Sequence, residues 1–203
     1  MLLPTPDQDA LAALLVQPAG RARKLARHYV DSLSAAGHSM GLRPEKAGDL
    51  PFLHALYAST RTSEMALVDW PEQAQRSFLL QQSSAQLLHY RKYYDDACFL
   101  VCEHNTQPVG RIYLHQSRSE LRVMDIALLT EFRGQGLGRV LMGAVVRLAK
   151  AEALAVGLHV EPNNPARDWY LRLGFEDIDA VGAYIYMRLQ ESSLAQAQEK
   201  LIS

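Results

Sequence analysis

Several things are scarce in this chain, and each shortage removes a class of function. There are two cysteines in 203 residues. Cys98 and Cys102 bound the apolar run Cys-Phe-Leu-Val-Cys, and the period of 2 in a strand puts both on one face. Without a second Cys or His pair this spacing makes a poor zinc site, so reduced thiols in or beside a core are expected and no metal is. No apolar run reaches transmembrane length, so no membrane role is expected. The formal net charge is only −1, and no global field draws the chain to nucleic acid or anionic lipid. The N-terminus lacks a basic stretch followed by an apolar core and a small-residue cleavage site, which makes a cytoplasmic location the expectation. No Lys-Ser or Lys-Thr pair occurs anywhere, which excludes a Walker phosphate loop.

What is present centres on one segment. An apolar strand, Leu121–Leu128, runs into Arg133-Gly134-Gln135-Gly136-Leu137-Gly138-Arg139. Apolar residues then recur at Leu137, Val140, Leu141, Ala144, Val145 and Leu148. That spacing predicts a helix with one buried face. The first N–H groups of a helix lack internal partners and carry the positive end of its dipole. A strand, a glycine turn and a helix start therefore form an anion site, most often for phosphate. A dinucleotide fingerprint, Gly-x-Gly-x-x-Gly, is half met by Gly134 and Gly136, with Glu161 about 20 residues on as a ribose-binding acid. Arg139 stands where its third glycine belongs. A nicotinamide-dependent oxidoreductase is thus the remote alternative.

A better match is Arg/Gln-x-x-Gly-x-Gly/Ala, met in full by Arg133 to Gly138. A second motif follows it, Asn163-Asn-Pro-Ala166-Arg-Asp-Trp-Tyr170-Leu-Arg-Leu-Gly174-Phe175. Physically it reads as a helix capped by Asn163 or Asn164, with Pro165 at its first position, a stripe of Ala166, Trp169, Tyr170 and Leu173, and a stop at Gly174. Together the two motifs resemble those of the GNAT acyltransferase superfamily. The resemblance covers about Gly41 to Gln190 and is sharp from Leu121 to Phe175.

The remaining elements follow from pattern. Ala22, Leu25, Ala26, Tyr29, Val30 and Leu33 repeat at helical spacing up to Gly37, after a shorter apolar piece around Leu11 to Val16. Arg21, Arg23, Lys24 and Arg27 give that helix a basic cluster, either a solvated face or a contact with an acidic partner. Residues 1–40 are thus expected to be a helical extension dispensable for chemistry, 41–190 the acetyltransferase domain and 191–203 a polar tail. Within the domain an edge strand at Gly41, helices from Asp49 and from Pro71 to about Tyr90, and three meander strands (Phe99–Cys102, Val109–His115, Leu121–Leu128) precede the glycine helix. The strand Leu158–Glu161, the Asn-Pro helix, a strand from Phe175 and a last strand around Tyr184–Leu189 complete it. The order predicts an α/β (α+β) fold with a mixed, mostly antiparallel sheet and helices on both faces.

The resemblance implies a function. Acetyl-CoA would set its pyrophosphate on the backbone of Gln135 to Gly138, with Arg133 and Arg139 adding charge. Its pantetheine arm would run along Ile126, Ala127 and Leu128, with Asn163 touching it and the Leu128 N–H holding the developing oxyanion. Tyr170 would be the general acid. The acceptor would be a primary amine on a small molecule or peptide, acetylated directly in a ternary complex. A non-catalytic CoA-binding sensor is the alternative, and a homodimer is compatible. The general base is open. Many relatives place a glutamate eleven residues before the phosphate motif, where this chain has Arg122. Asp125 and Glu161 are the favoured candidates, with Glu120, His159 and Glu64 behind them. Arg122 then either binds an acceptor carboxylate or cross-pairs in the sheet. Strand alternation puts Asp125 on the face opposite Arg122.

Overall fold

In the computed structural model, residues 7–15, 19–34 and 40–202 are described. Val16, at the end of the short apolar piece, and Gly37 lie outside these residues. Seven strands form one sheet in the order β1-β2-β3-β4-β5-β7-β6. They are β1 (Met40–Pro44), β2 (Cys98–His104), β3 (Gln107–Gln116), β4 (Glu120–Leu128), β5 (Ala155–Val160), β6 (Glu176–Val181) and β7 (Tyr184–Leu189). Every neighbouring pair is antiparallel except β4 and β5. A dinucleotide-binding fold needs an open, mostly parallel sheet. This sheet has one parallel pair, so the half-matched fingerprint at Gly134 and Gly136 does not carry an oxidoreductase.

The sheet is covered on both faces. On one side lie α2 (Gly20–Ser34), α6 (Leu137–Ala151), α7 (Ala166–Leu173) and α8 (Leu194–Ile202), over a core that includes Leu100, Leu114, Val123, Val156 and Met187. On the other lie α1 (Gln8–Ala13), α3 (Leu50–Thr60) and α5 (Glu72–Tyr93), over Leu53, Leu87, Phe99 and Tyr113. A single turn, α4 (Thr62–Met65), joins α3 to α5. Both cysteines are buried free thiols on the α6 side. Burial, with a small contribution from Glu45, pushes Cys98 up to about 12, so it is inert at neutral pH.

Two segments outside the span of the family resemblance pack into this core. In α2, Leu25, Ala26, Tyr29 and Leu33 are buried against α6. The Tyr29 hydroxyl donates to the Leu141 carbonyl of α6 at 2.9 Å, and Arg147 of α6 donates to the Ser32 carbonyl at 2.9 Å. Residues 194–202, expected within a polar tail, form α8 and bury Leu194, Ala197 and Leu201 on α6. Their i, i+3, i+7 spacing holds too few apolar residues to stand out in so short a segment. Asp49 does not cap α3 through its side chain. Its carboxylate accepts two hydrogen bonds from Arg43, at 2.7 and 2.8 Å, and one from the Lys46 N–H.

Candidate active site

The cleft begins where two strands part. β4 pairs with β3 from Leu121 opposite Gln116 down to Leu128 opposite Gly110. It pairs with β5 only from Glu120 to Val123, opposite Ala155 to Leu158. Past that point β4 has no strand on its β5 side. A bulge sits at the parting: Tyr113 faces Asp125 and Leu114 faces Val123, so Met124 is one residue in excess. An extra residue bends and twists the strand that carries it, and here that turns β4 away from β5.

The ladder also fixes which backbone groups face the gap. The Leu129 N–H donates to the Val109 carbonyl of β3 at 2.9 Å. Antiparallel alternation then aims the N–H groups of Leu128 and Ile126 away from β3 and into the gap. Gly110 holds β3 close at this spot, since a Cβ there would collide with the Ala127 carbonyl and the Leu128 side chain.

The bulge has a second effect. His115 faces Arg122 and Tyr113 faces Asp125. Directly opposed residues share a face, and His115 and Tyr113 lie two apart on unbroken β3. Arg122 and Asp125 therefore sit on the same face, toward α3 and α5, contrary to simple alternation. The sequence count failed because it assumed a regular strand.

Beyond Leu128 the chain makes a short turn, Thr130–Phe132, and reaches the glycines. Gly134 and Gly136 have φ of +72° and +82°, a region that costs side-chain-bearing residues about 1–2 kcal/mol. Gly136 is the N-cap of α6, whose first turn holds no acidic residue. A Cβ on any of Gly134, Gly136 or Gly138 would meet nothing within 4 Å. Chain packing thus leaves the outer side of this loop open to an approaching anion. Arg133 makes contacts within the chain. It donates to the Leu128 carbonyl at 2.8 Å and reaches the Ser59 carbonyl at 3.4 Å, bracing the end of β4. Arg139 is exposed.

Tyr170 lies on α7, buried against Phe175 and Trp169. Burial pushes its phenol up to about 12, with the Asp125 charge adding to the rise. It stays protonated at neutral pH, as a proton donor must. At the start of α7, whose N-cap is Pro165, the side chain of Asn164 rather than Asn163 accepts from the Ala166 N–H at 2.9 Å. Asn163 is exposed and outside the cap.

The base candidates separate clearly. Asp125 is spent. It accepts from Arg111 at 2.9 and 3.3 Å and from the Tyr90 hydroxyl at 3.4 Å. Glu120 is buried, accepting from Arg122 at 3.0 Å and from the Tyr186 hydroxyl. Arg122 thus pairs along its own strand. Glu64 is bound to Arg61 at 2.7 Å, and Glu161, just past β5, lies 3.4 Å from the same guanidinium. His159 is exposed, at the first position of β5 beyond the paired stretch, with its ring 5.2 Å from that of Tyr186. Desolvation and the Arg122 charge hold its pKa below the usual histidine value, against a smaller opposite pull from Glu120.

Arg111 was not anticipated. Its guanidinium is fully buried between β4 and α5, donating to Asp125 and, at 2.6 Å, to Gln86. The sequence did hold a signal, because Arg111 interrupts the apolar run Val109–Leu114. A charged residue inside a central strand must be paired.

The model of the acetyltransferase (GNAT) family matches residues 51–175, more than half of the chain. The chain belongs to the GNAT acetyltransferase family. An uncharacterized N-acetyltransferase of Methanocaldococcus jannaschii is 30% identical over 105 residues, covering 46% of this GNAT chain and 45% of the relative. The ribosomal protein bS18-alanine N-acetyltransferase of Haemophilus influenzae is 29% identical over 76 residues, covering 37% and 52%. The chain spans about half the length of these curated relatives. In fold it resembles the PaiA N-acetyltransferase of Thermoplasma acidophilum, solved with coenzyme A, at a TM-score of 0.58 and 18% identity over 75% of this chain and 99% of that one. Among the described residues, no group of His, Cys, Asp or Glu is placed to hold a metal, and no helix is long and apolar enough to cross a membrane.

Proposed function

We propose that this GNAT chain transfers the acetyl group of acetyl-CoA directly to a primary amine of a small molecule or peptide. The observation that carries the reading is the parting of β4 from β5 directly above the glycine-led start of α6. The loop from Gln135 to Gly138 would take the pyrophosphate on its backbone N–H groups. The open edge of Ile126, Ala127 and Leu128 would pair with the amides of the pantetheine arm, as an added strand does. Asn163, exposed and free of the helix cap, is available to the same arm.

The Leu128 N–H then points at the thioester carbonyl. As the amine attacks, charge develops on that oxygen, and a fixed donor in the gap stabilises it. Collapse of the tetrahedral intermediate breaks the C–S bond and releases a thiolate, which Tyr170 protonates. The attacking ammonium must first lose a proton. Asp125, held by Arg111, is a poor acceptor. His159 fits better: it is exposed at the parting, and its lowered pKa keeps it neutral near pH 7. Glu161 on the same side, engaged by Arg61, helps hold the cationic acceptor. No cysteine lies in the cleft to carry the acetyl group, which favours transfer within a ternary complex.

The deciding test is thiol release from acetyl-CoA across a panel of amines, with the acetylated product identified by mass spectrometry. Amine-dependent release with a matching N-acetyl product supports the reading. Tight acetyl-CoA binding without release for any amine would instead favour a CoA-sensing role.

A further inference from the structure

A groove in the described structure lies away from the transfer cleft. It has a volume of about 560 Å³ and is walled by α2, by the turn between β3 and β4, and by the C-terminal end of α6. That turn stands at the opposite end of β4 from Leu128. Ten residues of extended chain separate Arg118 from Leu128, about 30 Å.

Its charge is unusual for a chain of net charge −1. Arg21 and Lys24 of α2 and Arg118 of the turn all line it. None of the three is in an ion pair with a described residue. The groove's two carboxylates lie against histidines and not against these cations: Glu152 is 3.2 Å from His28, and Asp96 is 3.1 Å from His115. Three cationic side chains thus line one cavity against two carboxylates. A concave wall lined by an excess of one charge focuses its field. Leu25 adds an apolar patch. The volume suits a small organic molecule.

We propose that this groove binds a small multivalent anion, of phosphate or polycarboxylate chemistry, at a site separate from the transfer cleft. The basic cluster of α2 is then a binding wall, with Arg21 and Lys24 turned to the groove. Arg27, on the same helix, does not line it and remains exposed. One charge would be held weakly at so open a site, because salt screens exposed pairs. Two or three charges on one ligand can engage all three cations at once.

Calorimetric titration of the full chain with inorganic pyrophosphate and, separately, with citrate tests the proposal. The variants are Lys24→Glu/Arg118→Glu, Arg27→Glu and Gly136→Asp, each checked for folding by circular dichroism. One equivalent of at least one probe should bind the wild type. Affinity should fall tenfold or more in Lys24→Glu/Arg118→Glu and stay within about twofold in Arg27→Glu, which alters charge beside the groove. Binding that survives Gly136→Asp is located away from the glycine loop, so this result stands or falls independently of acetyl-CoA recognition. Pyrophosphate alone would mark phosphate chemistry, citrate alone polycarboxylate chemistry, and both a site that reads charge. Binding of neither probe, equal loss in Arg27→Glu, or loss in Gly136→Asp would overturn the proposal.

Discussion

The Arg111 guanidinium on β3 meets the Asp125 carboxylate on β4 at 2.9 Å, with the arginine side chain 3% exposed and the aspartate 13%. Removing one partner of such a pair strands the other charge in the core, at a cost of about 3–5 kcal/mol. Asp125→Asn should therefore lower the midpoint of urea unfolding sharply. Arg111→Met with Asp125→Leu should recover most of the loss, since both charges leave together. Unfolding midpoints for the two variants check this. An Asp125→Asn chain as stable as wild type but slow in turnover would return Asp125 to the role of base.

Gly136 makes two separable demands. Gly136→Ala adds a methyl group at φ +82° and should cost about 1–2 kcal/mol of stability. Gly136→Asp adds a negative charge where the pyrophosphate would sit and should abolish acetyl-CoA binding. Calorimetry on the folded variants tests this. Unchanged affinity in Gly136→Asp would place the cofactor elsewhere.

Tyr170→Phe keeps the ring and removes the proton donor. Acetyl-CoA affinity should hold while turnover falls by about 10²–10⁴-fold. Because the phenol is raised to about 12, it should not titrate in the working range. Wild-type turnover in Tyr170→Phe, in an assay limited by chemistry, would remove the general acid.

The pH profile tests His159. Its active form is neutral, and its pKa lies below the free value of about 6.5. The rate should therefore rise with pH through that lowered pKa and be flat above it until other groups titrate. His159→Gln should lose about 10²-fold in kcat/KM along with the ascending limb. A limb that persists unchanged in His159→Gln would assign it to another group.

Tyr29→Phe removes one buried hydrogen bond to α6, while the Leu141 carbonyl keeps its place in the helix ladder. A loss of about 0.5–1.5 kcal/mol is expected, read from denaturant midpoints. Deleting α2 whole should leave an aggregating chain, because the buried face of α6 becomes exposed. A soluble, folded truncation that still binds acetyl-CoA would show that residues 1–40 are dispensable after all.

The sequence made the glycine loop and α7 readable because local chemistry dictates both. Positive-φ glycines, a helix start and an Asx cap are set by neighbours in the chain. The sheet core was readable for a similar reason, since the apolar runs at Leu100, Ile112 and Leu121 admit few alternatives. What escaped depends on partners far away in sequence. Nothing local to α2 says that Tyr29 will bond Leu141, 112 positions on. Nothing local to Asp125 says that Arg111 will claim its carboxylate. The facing of Arg122 was lost for one reason, an extra residue in a strand. A bulge leaves little mark in a sequence when the residue added is an ordinary Met.

Met124 also sets what this strand can tolerate. Val123 belongs in the α6-side core, and Leu128 must present its N–H to the gap. The extra residue between them bends the strand. Side chains along this stretch can be exchanged for others of similar size at modest cost. Length is different: deleting Met124 would leave Asp125 opposite Tyr113 and Leu128 opposite Gly110, but it would remove the bend that turns β4 away from β5. Over these few positions the protein should be permissive of substitution and intolerant of any insertion or deletion.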